Sequence, residues 1–176
     1  MVRIPYIEES EHPELAELIG RIKSGRRGNL LNIYKLLLHS PEVTVAWMGL
    51  IDAIRSHTVL DGRSREIAII RAANVNRSAY EMKQHVPRIA LTMGLTLEDC
   101  DAVARWPSAS HLTTKDEAVI GYTDAVTRDV HVDDAVFDKL RPHFSEREIL
   151  ELTLVIGIYN MHARVIEPLK VDLEPD

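Results

Sequence analysis

The sequence has a single cysteine, Cys100, in 176 residues. One thiol cannot close an intrachain disulfide, and without a CxxC or CxxH neighbour it supplies neither a dithiol redox couple nor a thiolate zinc site. A basic excess is also missing, since 21 Lys and Arg stand against 27 Asp and Glu for a formal charge of -6. With no basic stripe to offset that charge, neither a nucleic acid nor an anionic membrane is expected as a partner. No run approaches the roughly 18 uninterrupted apolar residues of a membrane span, and the opening MVRIPYIEESEHPELAELI lacks the basic-then-apolar order of a secretory leader. The expectation is a soluble, cytoplasmic protein. The histidines form no HExxH or HxH pattern, so no metal site is expected. Sustained period-two alternation between hairpin turns is absent as well, which argues against a sheet.

What is present is helical. Ser40 before Pro41 and Glu42 reads as an N-cap with proline at the first helical position, opening PEVTVAWMGLIDAIRSH. Thr114 to Glu117 and Ser145 to Glu148 have capping-box spacing, each followed by an apolar periodic run. Turn chemistry predicts breaks at Gly25 to Gly28, Leu60-Asp61-Gly62, Met93-Gly94 and Trp106-Pro107-Ser108. These signals predict an all-α chain of roughly seven to nine helices with short connections. A length of 176 residues suits a single domain over 1–176, with 1–39 as an N-terminal helical extension.

Two helices read as related. Arg65-Glu66-Ile67 opens one strongly apolar stretch, and Arg147-Glu148-Ile149 opens another 82 residues later, from 65 to 147. Both are apolar on nearly all sides, the pattern of a helix buried in a core or at a subunit interface. Two similar helical halves are therefore expected. On this offset Asn160 and His162 stand where Ser78 and Tyr80 stand in the first half.

The polar residues concentrate in NRSAYEMKQH, residues 76–85. Glu81 and His85 are four apart, so on an α-helix they share one side at hydrogen-bonding reach, and Tyr80 adjoins that face. Such a group is either a catalytic cluster or a solvated helix face.

The stretch DGRSREIAIIRAANVNRSAYEMKQHVPRIALTMGLTL, residues 61–97, resembles the carboxymuconolactone decarboxylase family, whose alkyl hydroperoxidase D (AhpD) branch carries a glutamate, a CxxC and a histidine along one pair of helices. In that alignment Glu66 takes the glutamate position, Ser78 and Glu81 take the two cysteine positions, and His85 takes the histidine. The likeness extends into SEREILELTLVIGIYNMHARVIEPLKVDLEP and covers most of the chain after about residue 40. It implies an AhpD-like fold of the cysteine-free, decarboxylase-like branch, assembled as a homotrimer or homohexamer.

The resemblance also implies a chemistry. Decarboxylation of an unsaturated lactone acid needs no metal or cofactor, because the conjugated carbonyl is the electron sink. His85 is the natural proton donor, with Glu66 or Glu81 orienting it or acting as base. Tyr80 would donate to the enolate oxygen. Arg71 or Arg88 would hold an anionic group of a small-molecule substrate, with Ser78 alongside. Dithiol peroxidase chemistry is not expected, since serine and glutamate replace the two thiols. The alternative is a non-catalytic helical oligomer that keeps the fold as a binding or scaffold subunit.

Overall fold

Asp61, Thr96 and Thr113 each start a helix by accepting the backbone N–H three residues on, at 2.9, 3.0 and 3.1 Å. At Thr96 and Thr113 the third residue, Asp99 or Asp116, returns the bond to the cap's own N–H, which completes a capping box. The computed structural model describes residues 1–25, 28–107 and 111–175, and among them the chain is all-α with no strand.

The helices are α1 (Ala16–Ser24), α2 (Asn32–Leu37), α3 (Pro41–Ser56), α4 (Gly62–Val75), α5 (Ala79–Gln84), α6 (Leu97–Arg105), α7 (Thr114–Arg128), α8 (Asp134–Phe137) and α9 (Glu146–Leu169), with a π-helical segment at His85–Ala90. The box expected from Thr114 to Glu117 lies one residue earlier, from Thr113 to Asp116, because aspartate closes the same ring with a shorter arm. The box at Ser145 and Glu148 forms as expected, with Ser145 N–H donating to Glu148 Oε2 at 2.8 Å and Glu148 N–H donating to Ser145 Oγ at 3.4 Å. Ser40 stands at the N-cap of α3 without a side-chain bond to the helix, and its carbonyl accepts Thr44 Oγ1 at 3.0 Å instead. The predicted breaks at Asp61-Gly62 and Met93-Gly94 are present, the latter with Gly94 at φ 83°. Of the other two, Arg26, Arg27 and Ser108 lie outside the described residues, while α6 ends at Arg105 before a cis Trp106–Pro107 bond.

The chain forms two compact units, residues 1–57 with 166–176 and residues 58–165. In the first, Arg3 N–H donates to the Leu169 carbonyl at 3.0 Å and Ile7 N–H to the Lys35 carbonyl at 3.2 Å, which ties the N-terminal strap to both ends of the unit. Tyr6 and Asn32 hold the C-terminal tail through Asp172 and Glu174. Ile19 and Ile22 of α1 supply its buried apolar face.

The second unit is built around α4. Every residue from Ser64 to Ala73 is buried, so this helix has no solvent face. Its neighbours are α5, α6, α7 and the π-segment. Ile67, Ile70, Val103, Val119, Ile120, Leu152, Val155 and Ile156 are fully enclosed and form the core of the unit. Glu151 of α9 accepts the N–H groups of Val59 and Leu60 at 2.8 and 2.9 Å, so the turn leading into α4 has its donors satisfied. By length and composition α9 could cross a membrane, with a mean hydropathy of 1.4, but 56% of its apolar window is buried within the protein.

Candidate functional site

A helix enclosed on all sides must bury its polar residues with partners or at a cost of several kcal/mol. Glu66 lies just over one turn into α4 with its side chain 2% exposed, and its partner is His85, whose Nδ1 stands 2.7 Å from Glu66 Oε2. A carboxylate can only accept, so Nδ1 carries the proton and Nε2 is left to exchange one.

The position of His85 follows from the local sequence. Pro87 has no N–H to give to the Lys83 carbonyl, and in an α-helix its ring would collide with that carbonyl. The chain answers by widening into a π-helix from His85 to Ala90. His85 N–H still donates to the Glu81 carbonyl, so the α-helical spacing of four holds as far as His85, where the π-segment begins. Of the two glutamates that the sequence offers as its partner, His85 bonds Glu66 across the helix pair and not Glu81.

Glu81 is buried nearby and faces α9, with Oε1 3.9 Å from His162 Nδ1. Tyr159 connects the two imidazoles. Its ring meets His85 edge-on at 5.1 Å between centroids and lies 5.0 Å from His162. Tyr80, also buried, stays on α5 beside Glu81. Ser78 has N-cap backbone geometry but makes no cap bond; its Oγ is buried with no hydrogen-bond partner among the described residues.

The two arginines expected to bind an anion are elsewhere. Arg71 is committed to structure: its Nε and Nη2 each donate to Asp124 at 2.6 Å, and Nη1 donates to the carbonyls of Val103 and Ala104. Arg88 is exposed on the π-segment. The arginine that does approach Glu66 is Arg65, with Nε 3.9 Å from Glu66 Oε1. Sequence reasoning did not single it out, because flanking Glu66 in the chain says nothing about where a guanidinium ends. Tyr159 was missed too, and the only signal toward it was the repeat that drew notice to its neighbours Asn160 and His162. Asn160 itself ties α9 to α4 and α7, bonding Asn76 and Thr127 at 3.0 Å.

Cys100 sits on α6, not on α5, and is buried. Burial, followed by the charges of Asp99 and Glu66, pushes its thiol above the ordinary value of 9.0.

Residues 41–125 match the model of the Carboxymuconolactone decarboxylase family. No curated protein matches. Among solved structures, the chain is similar to a protein of unknown function from Agrobacterium tumefaciens, at 27% identity over 80% of this chain and 97% of that one, with a TM-score of 0.74. An uncharacterised peroxidase-related protein from Ralstonia eutropha with an alkylhydroperoxidase AhpD core matches at 19% identity over 98% of this chain and 92% of that one, TM-score 0.83. The debrominase Bmp8, in complex with 2,3,4-tribromopyrrole, matches at 18% identity over 99% and 92% of the two chains, TM-score 0.79.

Proposed function

Residues 41–125 place the chain in the carboxymuconolactone decarboxylase family with an AhpD-like fold, and from that premise we propose that it is a cofactor-free acid–base enzyme acting on a small carboxylated lactone or carbonyl compound. The observation that carries this reading is the buried Glu66–His85 hydrogen bond of 2.7 Å. Glu66 fixes the imidazole's tautomer and orientation, so Nε2 is the atom that gives or takes the proton.

For a decarboxylation the balance is simple. The carboxylate leaves as carbon dioxide, and the electron pair of the broken C–C bond passes into the conjugated carbonyl as a dienolate. A proton from His85 Nε2–H then quenches the carbanionic carbon, after which the imidazole is reprotonated from solvent. Tyr80 or Tyr159 would donate to the enolate oxygen. A site that strips water from the leaving carboxylate would raise its energy relative to the dispersed charge of the dienolate.

A thiol peroxidase route of the kind the AhpD branch's CxxC implies has less support. Its nucleophile and resolving thiol would stand where this chain has Ser78 and Glu81, and Cys100 is on another helix with its thiol pushed up.

The proposal includes self-association in the cytoplasm as a trimer or hexamer. Leu150 and Leu154, one turn apart on α9, are 60% and 46% exposed, an apolar stripe that a second copy would cover.

The test begins with a thermal-shift screen of lactone, keto-acid and enone ligands, followed by turnover of the best one. His85→Gln is expected to cut turnover by about 10²- to 10⁴-fold with the fold retained. Full activity in that variant would make the cluster a structural network and leave the scaffold alternative standing.

A further inference from the structure

α4 carries three arginines near or within the buried unit, and two of them are clamped by carboxylates. Arg63 donates from Nε and Nη2 to Asp116, both at 3.0 Å, and from Nη1 to Asp99 at 3.2 Å. Arg71 holds Asp124 at 2.6 Å through two nitrogens. Arg65 has no such partner. The carboxylate oxygen it approaches, Glu66 Oε1, is 3.9 Å away, beyond hydrogen-bonding range, and the other oxygen of Glu66 is taken by His85.

The contrast matters because Arg65 is not a surface residue. Its side chain is only 11% exposed and its Nε is sealed from solvent without a hydrogen-bond acceptor. Of its five N–H donors, the one hydrogen bond formed runs from Nη2 to Met93 Sδ at 3.6 Å, a weak and neutral acceptor. A guanidinium taken out of water and left so poorly matched is costly, and it also lies near the N-terminal end of α4, where the helix dipole disfavours a cation. Both costs vanish when an anion arrives, since the same dipole and the same unfilled donors then act together.

The support behind Arg65 is itself specific. A Cβ on Gly62 would collide with Met93 Sδ, so glycine at the start of α4 is what lets the Met93 side chain lie against the helix at the height of Arg65. Methionine there positions the guanidinium without neutralising it, as a carboxylate would.

We infer that Arg65 binds the anionic group of the substrate, its planar fork taking a carboxylate beside the Glu66–His85 pair. The role the sequence offered to Arg71 or Arg88 belongs to Arg65. This rests on the acid–base reading for what happens next to the anion, but not for the binding itself. A carboxylate on the Arg65 fork is stabilised by it, so this group anchors the substrate and is not one that leaves; the proton that His85 Nε2 exchanges belongs to another atom of the same molecule. The ligand class is a small unsaturated ring acid, and the corresponding neutral ester is rejected.

The experiment uses 2-furoate and methyl 2-furoate as probes, titrated by calorimetry or by NMR into the full chain. Wild type is expected to bind the acid at least tenfold more tightly than the ester. Arg65→Gln should remove that preference by weakening the acid roughly 10- to 100-fold, the worth of a charge-assisted bidentate contact, while the ester is unchanged. Arg65→Lys keeps the charge but not the fork and should fall between. Gly62→Ala, which displaces Met93, should weaken the acid without changing net charge. His85→Gln should keep the acid preference, so loss of turnover there with binding intact separates the two readings. Equal binding of acid and ester by wild type, or an undiminished acid preference in Arg65→Gln, would overturn the assignment. Should Arg65→Gln fail to fold, the wild-type preference and the Arg65→Lys titration decide it on the same terms.

Discussion

His85 Nδ1 and Glu66 Oε2 lie 2.7 Å apart although 19 positions separate them in the chain, and both side chains are almost fully buried. A pair of this kind differs in energy from a solvated one on a single helix, which is worth only about 0.3 to 0.5 kcal/mol. His85→Ala strands a buried carboxylate, and we expect a loss of about 3 kcal/mol in urea unfolding. A loss near zero would return His85 to the surface.

Glu66 and His85 should also act as one unit in turnover. Glu66→Gln alone and His85→Gln alone are each expected to slow the reaction, and the double variant should be little worse than the slower single one. Additive losses, measured as kcat on the ligand found by screening, would mean that the two side chains serve separate steps.

Arg63 makes the protein acid-sensitive in a predictable direction. Burial pushes the Asp116 carboxyl up, but the Arg63 guanidinium and the N–H of Thr113 outweigh it and hold the group below the ordinary 3.8. Asp99 is held down likewise, with Thr96 and Arg63 outweighing burial. A depressed pKa in the folded state contributes stability that is complete above the unfolded value and is lost as pH falls through the folded one. Unfolding free energy should therefore decline below about pH 4. Arg63→Met should flatten that decline while lowering stability at pH 7 by roughly 2 to 4 kcal/mol, since it leaves Asp116 buried without its partner. A pH profile parallel to wild type would show that other carboxylates set it.

Cys100 should behave as an inert core thiol. With burial, Asp99 and Glu66 all raising its pKa, reaction with a thiol reagent at pH 7 is expected to be slow in the folded protein and fast in denaturant. Hydroperoxide consumption supported by a dithiol reductant is expected to be absent. Turnover that disappears in Cys100→Ser would instead make this thiol a redox centre.

The exposed stripe of Leu150 and Leu154 should govern assembly. Light scattering at micromolar concentration is expected to give a multiple of the 19.9 kDa chain, and Leu154→Lys should reduce it. A monomeric wild type would leave the stripe without an occupant.

The all-α architecture was legible in the chain, because it depends on local rules: a capping box at Ser145, breaks at Asp61-Gly62 and Gly94, and strongly apolar runs along α4 and α9. Even the one misplaced cap, Thr114 for Thr113, is an error of a single residue between two adjacent threonines. The site was legible as a set of residues but not as a geometry. Glu66, Glu81 and His85 were all found, but the sequence left open which glutamate is the partner of His85. Packing decides it, and the imidazole turns to Glu66 on α4. The arginines show the same division. Arg65, Arg71 and Arg88 are alike in sequence, and only packing decides which is clamped by Asp124, which faces water and which lies buried beside Glu66 with its donors unfilled. Sequence determines which side chains a helix carries and which face is apolar, since both are set within a few residues. Which acceptor a long side chain meets across the core depends on neighbours far along the chain, and that is decided only when the helices pack.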